Sequence, residues 1–214
     1  MNKRDLLQRI GGIAAWMAWT GVAGMLAVPL AGCKDASDAS PKASFNAVDM
    51  TGADYAKDFA LSDADGKPRT LADFRGKVVV MFFGYAQCPD VCPTTMTEMA
   101  QVRQQLGTDG DRLQVIFVTV DPERDTPTVM KAYANAFDPS FVALIPTPEQ
   151  LAAMAKDFKF YFKKVDGSTP TSYTVDHSAA SYVYDMQGRL RLYARYGAGV
   201  APMVADVKTL IAQG

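Results

Sequence analysis

One stretch, residues 77–94, constrains the fold of this 214-residue chain more than any other. Residues 77–83 form an almost wholly apolar run, which predicts a parallel strand buried on both of its faces. Glycine and proline residues then interrupt the run and indicate a loop. Pro93 suits the first turn of a helix, where its missing N–H leaves no hydrogen bond unmade, and residues 94–106 are compatible with a helix. The sequence therefore predicts a buried strand, a tight loop and a helix in direct succession.

Two cysteines lie at the end of this predicted loop. Cys92 is at the helix N-terminus, and Cys88 precedes it by four residues in the loop. Free amide N–H groups and the positive end of the helix dipole stabilise a thiolate at such a position. We therefore expect the two sulfurs to be nucleophilic or metal-binding at neutral pH.

The rest of the chain alternates between predicted strands and helices. The predicted elements are strands at 113–120, 141–145 and 160–165, helices at 126–137 and 147–158, a β-hairpin at 178–196, a final helix at 201–212 and a short hairpin before residue 74. This order predicts an α/β fold with a central mixed sheet flanked by helices. Residues 53–214 would form the domain, with an N-terminal hairpin extension, and their order of elements resembles the thioredoxin-like architecture.

The start of the chain has the composition of an export signal. A basic segment precedes the apolar residues 10–31, and the following Leu-Ala-Gly-Cys33 resembles the lipobox of bacterial lipoproteins. We predict that residues 1–32 are a lipoprotein signal peptide and that Cys33 is lipidated, which anchors the protein in the bacterial cell envelope facing the periplasm. The alternative is that residues 10–31 remain as a transmembrane anchor, since they are just long enough to span a bilayer.

Composition, charge and cysteine count limit the roles that the remainder of the chain can have. Residues 33–52 are rich in Ala, Ser, Asp and Lys, which predicts a lipidated tether and flexible linker. The formal net charge is -1 and no basic patch is visible, which argues against a nucleic-acid partner. With Cys33 assigned to lipid, Cys88 and Cys92 remain in an oxidising compartment, so this pair is a structural disulfide, a redox-active pair or a metal site.

The only histidine, His177, precedes the predicted late hairpin. If that hairpin runs beside the cysteine strand, His177 lies over the two sulfurs. Two thiolates and one imidazole suit a soft or borderline metal, and the Irving–Williams order favours copper among the divalent ions. The two sulfurs can hold Cu(I) with or without the imidazole, whereas Cu(II) needs the nitrogen. Structural zinc usually takes a fourth protein ligand, and with Cys33 assigned to lipid the chain offers no further Cys or His for it.

Three motifs in this order and spacing resemble those of the Sco/SenC family of thioredoxin-like copper proteins, and they lie at residues 83–93, 118–127 and 173–178. The resemblance covers essentially all of the predicted domain. It implies that Cys88, Cys92 and His177 are copper ligands. It also implies a copper-binding assembly factor that acts on the CuA centre of cytochrome c oxidase subunit II. One departure is Ala86-Gln87, where many members have Thr-His or Thr-Lys; it removes a nearby side chain but no ligand.

Charged residues near these motifs allow more than one role. Asp176, beside the histidine, is predicted to hold either the imidazole or the neighbouring loop through a hydrogen bond. The run that contains Asp121, Glu123, Arg124 and Asp125 is either a solvated turn with internal ion pairs or a docking site for a partner.

Two functions remain open on the sequence. The first is a tethered copper chaperone, monomeric by default and not itself an enzyme. Its partners would be cytochrome c oxidase subunit II or a copper donor. The alternative is a periplasmic thiol–disulfide oxidoreductase that keeps the acceptor cysteines reduced, in which one cysteine attacks a target disulfide and the other resolves the mixed disulfide.

Overall fold

The structure is a computed structural model that describes residues 44–169 and 172–214. Within these ranges the predicted strands and helices occur in the predicted order, together with two short strands that were not predicted. The strands are β1 (Val48–Asp49), β2 (Ala60–Asp63), β3 (Pro68–Thr70), β4 (Val78–Gly84), β5 (Leu113–Thr119), β6 (Val142–Ile145), β7 (Phe162–Val165), β8 (Thr174–His177), β9 (Ser181–Tyr184) and β10 (Leu190–Ala194). The helices are α1 (Val91–Leu106), α2 (Pro127–Phe137), α3 (Pro148–Asp157) and α4 (Val200–Ala212).

Eight of these strands form one mixed sheet in the order β1-β10-β9-β4-β5-β6-β2-β3. Strands β4, β5 and β6 run parallel to one another, and the other neighbours are antiparallel. Every residue of β4 and β5 is buried, as expected for central strands that are covered on both faces. The α/β class, the central mixed sheet and the N-terminal hairpin extension, here β2 and β3, are thereby confirmed.

The strand directions bring three functional segments to one end of the sheet. Because β4 and β5 are parallel, their last residues, Gly84 and Thr119, are neighbours. Strand β9 runs antiparallel to β4, and its first residue, Ser181, pairs with Phe82 near the same end. The cysteine loop, the turn after β5 and the segment before β9 therefore meet there.

Strands β7 and β8 form a separate two-stranded ribbon. The sequence predicted a strand at β7 but no strand at β8, so this pairing corrects the prediction. His177 is the last residue of β8 and pairs with Phe162. Strand β8 has four residues and a single apolar one, Val175, so its sequence offers too little apolar alternation to identify a strand.

The chain joins the fold earlier than the predicted domain boundary at residue 53. Val48 and Asp49 pair with Tyr193 and Leu192 of β10. The buried carboxylate of Asp206, in α4, accepts hydrogen bonds from the backbone N–H groups of Asn46 and Ala47, both at 2.8 Å. The last residues of the predicted linker thus belong to the folded domain, because a distant side chain satisfies their amide groups.

Replacing Asp206 with alanine should destabilise the domain by about 1–2 kcal/mol, since two backbone donors and the Asn46 side chain lose their charged acceptor. Urea unfolding of the reduced protein measures this change. The matched control is Lys208→Ala, an exposed position of the same helix, which should leave the free energy of unfolding nearly unchanged. Equal unfolding midpoints for the two variants would show that the Asp206 contacts do not stabilise the domain.

The predicted signal peptide, the lipidation site Cys33 and most of the predicted linker lie outside the described residues. Among the helices of the described ranges, none combines the length and the apolar character needed to cross a membrane.

Candidate metal centre

The cysteine loop is a short connection between β4 and α1. Helix α1 begins at Val91, so Cys92 lies within its first turn, slightly earlier than the helix start predicted from Pro93. In the loop, the Cys88 N–H donates to the Tyr85 carbonyl at 3.2 Å and closes a tight turn. This turn and the helix start direct both sulfurs to the same end of the sheet.

Gly84, the last residue of β4, makes room for the buried sulfur. A Cβ atom at this position would lie 2.7 Å from Cys92 Sγ and 2.7 Å from a ring carbon of Phe117. Both neighbours are completely buried, so neither can move into solvent. From the sequence, Gly84 was expected only to end the strand, although its position beside the cysteine loop was a signal of close packing.

The imidazole of His177 faces the cysteines from the ribbon. Its Nε2 lies 3.5 Å from Cys92 Sγ, while its Nδ1 lies 3.0 Å from the Ser178 carbonyl oxygen. A carbonyl only accepts, so Nδ1 carries the proton and Nε2 presents its lone pair towards the sulfurs. The rings of Phe82 and Tyr85 pack edge-on against the imidazole, each with centroids 6.0 Å away.

Three donor atoms converge at this point. The two Sγ atoms of Cys88 and Cys92 and a ring nitrogen of His177 all lie within 4.8 Å of one another. Cys92 is buried, whereas Cys88 and His177 are half-buried and line an open cleft of about 320 Å³. The structure thus brings together the three residues that the sequence predicted to meet, and their role as copper ligands stays a prediction.

The two thiols are free and differ in their electrostatics. A hydrogen bond from the Cys92 thiol, with further ones from the backbone N–H groups of Asp90 and Cys92, lowers the pKa of Cys88 to about 3 despite partial burial. The same interaction with Cys88, together with burial, raises the pKa of Cys92. The half-buried sulfur therefore loses its proton more readily than an ordinary thiol, and the buried sulfur holds its proton more tightly.

Asp176 does not hold the imidazole in this structure. It is exposed on β8, where it lies opposite Lys163 of β7 in the strand register. The imidazole N–H instead donates to the Ser178 carbonyl. The contact with Ser178 could not be predicted from the sequence, because a backbone carbonyl has no side-chain signature. The other predicted role of Asp176, holding the neighbouring loop, stays a prediction.

The acidic residues of the turn after β5 bond within the protein. Asp125 is 1% exposed and accepts from the Thr119 hydroxyl at 2.6 Å and from the Ala86 N–H, in the cysteine loop, at 3.1 Å. Asp121 is 4% exposed and accepts from Arg124 Nε at 2.5 Å and from the Tyr173 hydroxyl at 2.7 Å.

These contacts favour an internal role for both buried carboxylates over a solvated turn. Burial raises the pKa of Asp125, and the hydrogen bonds from Thr119 and Ala86 oppose that change. A role in docking a partner stays a prediction for Glu123, which is exposed and lies 2.9 Å from Lys164, and for the partly exposed Arg124.

The fold and the site together define a class of protein, an α/β domain that carries a Cys-Cys-His cluster at the carboxyl end of a central strand. The SCO1/SenC family model matches residues 48–212. The mouse mitochondrial SCO2 homologue is 35% identical over 157 residues, which cover 72% of this chain and 62% of the mouse protein. The chain belongs to the SCO1/SenC family, and it spans less than two thirds of that relative.

Solved structures agree with this assignment. Bradyrhizobium japonicum ScoI with copper bound has a TM-score of 0.65 and 38% identity, and the match covers 72% of this chain and 97% of that chain. A SCO1/SenC family lipoprotein from Bacillus anthracis has a TM-score of 0.61 and 26% identity, with coverage of 72% and 92%. The predicted thioredoxin-like fold is thereby confirmed.

Proposed function

We propose that this protein is a copper chaperone that binds copper through Cys88, Cys92 and His177. The observation that carries the proposal is the convergence of two sulfurs and one nitrogen within 4.8 Å, with the Nε2 lone pair facing the sulfurs. This donor set suits copper in either of its common oxidation states. Further support comes from the 38% identical ScoI, whose structure contains bound copper.

The acceptor that fits best is the CuA centre of cytochrome c oxidase subunit II. Sco family proteins take part in the copper assembly of cytochrome c oxidase. Three protein ligands leave one coordination position open, and the half-buried Cys88 lies in a cleft that an acceptor can enter. Acceptor thiolates would then displace the chaperone's ligands one at a time. Binding of copper by both sulfurs requires loss of the Cys92 proton, so copper affinity should fall as pH falls.

The proposal includes attachment to a membrane through lipidated Cys33. The lipobox-like run before Cys33 supports it, as does the 26% identical lipoprotein from Bacillus anthracis. The position of Asn46 is compatible with it, because this residue lies beside the start of α4 at the end of the sheet that carries the metal centre. A tether at this end would keep the ligands close to a membrane-bound acceptor.

Anaerobic copper titration of the reduced protein without residues 1–33 tests copper binding, since only Cys88 and Cys92 remain as thiols. We expect one equivalent of Cu(II) to bind with thiolate-to-metal charge-transfer absorption. The double variant Cys88→Ser, Cys92→Ser should lose this absorption, because hydroxyl groups are poor ligands for soft metals. Binding of equal strength in the double variant would refute the proposed site.

A second candidate function, thiol–disulfide exchange, is favoured by the unequal thiols. The Cys88 thiolate would attack a target disulfide and form a mixed disulfide; Cys92 would lose its proton and attack Cys88 Sγ. The products are a reduced target and an oxidised Cys88–Cys92 pair. Rapid stoichiometric reduction of a model disulfide by a protein that holds no copper would favour this function over the chaperone.

A further inference from the structure

The position of His177 relative to the cysteines is not set directly by sheet hydrogen bonds. His177 belongs to the ribbon β7–β8, which pairs only with itself in the described part of the chain. The cysteines follow β4 of the main sheet. Isolated two-stranded ribbons are marginal in water, so side-chain contacts must hold this ribbon in place.

One side chain contacts both of the ligand-bearing segments. Arg124 Nη1 donates at 2.9 Å to the carbonyl of Tyr173, the residue immediately before the strand that carries the histidine. The same nitrogen donates to Gln87 Oε1, next to Cys88, at 3.1 Å. Gln87 belongs to the dipeptide that departs from the family pattern without removing a ligand. Arg124 therefore bridges the cysteine loop and the ribbon.

Stacking and ion pairing hold the guanidinium of Arg124 in place. Its central carbon lies 3.5 Å from the Tyr173 ring centroid and 5.8 Å from that of Tyr85. Its Nε donates to the buried Asp121, and its side chain is 15% exposed. A planar guanidinium can stack and form several directed hydrogen bonds at once, which a lysine ammonium cannot do.

We propose that Arg124 is a positioning residue that holds the ribbon against the cysteine loop and so presents His177 Nε2 to a metal bound by Cys88 and Cys92. This inference rests on the proposed copper function. It assigns Arg124 an internal role in place of docking. The two sulfurs lie on one loop and helix start, and Arg124 touches that loop only through the Gln87 side chain, so we expect the spacing of the sulfurs to depend on Arg124 less than the position of His177 does.

Replacing Arg124 with glutamine should weaken Cu(II) binding by about 10- to 100-fold, the usual cost of losing a group that orients a metal ligand. The nitrogen hyperfine coupling in the electron paramagnetic resonance spectrum should weaken with it. Cu(I) affinity, which the two sulfurs can supply, should change little. Arg124→Lys keeps the charge without the planar fork, so it should show a smaller loss of Cu(II) affinity. It replaces the glutamine variant in this test if that variant does not fold.

A double-mutant cycle with His177→Ala distinguishes positioning from a general effect. If Arg124 acts through the imidazole, Arg124→Gln should lower Cu(II) affinity in the wild-type protein but not in the His177→Ala background. An equal loss in both backgrounds, or no loss in the wild-type protein, would overturn the inference.

Arg191→Gln is the matched control. Arg191 is 14% exposed, pairs with the buried Asp185 at 3.3 Å and lies 5.7 Å from the Phe45 ring, but it contacts neither ligand-bearing segment. The Arg191→Gln variant should lower the free energy of unfolding without changing copper affinity.

A wild-type protein that binds no copper would overturn the proposed function and this inference together. Normal wild-type binding that is insensitive to Arg124 would overturn this inference alone.

Discussion

Replacing His177 with alanine is expected to lower the affinity for Cu(II) by more than about 100-fold, beyond the range for a group that only orients a ligand. The reason is that Nε2 is the sole nitrogen donor in the cluster formed by the described residues and lies 3.5 Å from Cys92 Sγ. Cu(II) needs that nitrogen, whereas Cu(I) binds well to two sulfurs. Competition titrations in both oxidation states, with spin resonance of the Cu(II) form, measure the difference.

The neighbouring substitution Asp176→Asn is the matched control. Asp176 is exposed, and the imidazole N–H is already bonded to the Ser178 carbonyl, so Cu(II) affinity should stay close to wild type. Oxidation of Cys88 and Cys92 to a disulfide should proceed in the His177→Ala variant, since it needs only the two thiols. Unchanged Cu(II) affinity in that variant would remove His177 from the site.

Replacing Gly84 with alanine should destabilise the reduced, metal-free protein by about 2–3 kcal/mol, the upper range for an overpacked core. The added Cβ would lie 2.7 Å from both Cys92 Sγ and the Phe117 ring, and both are fully buried. Because the displaced sulfur is a predicted ligand, copper affinity should fall as well. Urea unfolding and copper titration of the same sample measure the two effects.

A second glycine separates steric crowding from the general effect of losing a glycine. Gly66 has a φ of +76°, and a Cβ added there would have no neighbouring atom within 4 Å, so Gly66→Ala meets backbone strain but no contact. We expect Gly66→Ala to lower the free energy of unfolding by about 1–2 kcal/mol, the strain of a left-handed residue, and to leave copper affinity normal. Normal copper affinity in Gly84→Ala would contradict the crowding of Cys92.

Much of the fold could be predicted because its central elements carry strong local signals. Strands β4 and β5 are continuous apolar runs, and their burial on both faces produces such runs. Helices α2 and α3 begin at Thr-Pro pairs, where Thr126 and Thr147 accept backbone N–H bonds as N-caps. These features depend on a few neighbouring residues, so they can be predicted from the sequence.

The elements that were missed depend on distant partners. Strand β1 forms because Asp206 and β10, far along the chain, satisfy its amides and those just before it. Strand β8 exists as the partner of β7, and the burial of Asp121 and Asp125 follows from how loops pack over the sheet. From the sequence alone, charged residues in a loop are predicted to be exposed to solvent, because their buried hydrogen-bond partners are not known.

The sequence was enough to predict the donor types, the four-residue spacing of Cys88 and Cys92 at a strand–helix junction, and the one histidine that could join them. The packed fold was needed to show that His177, 85 residues from Cys92, turns its Nε2 towards the sulfur, and that Arg124 bridges the two segments. The difference follows from how far apart along the chain the interacting residues lie. Periodicity and helix starts arise from neighbouring residues, whereas hydrogen-bond partners and close approach arise from packing between distant elements.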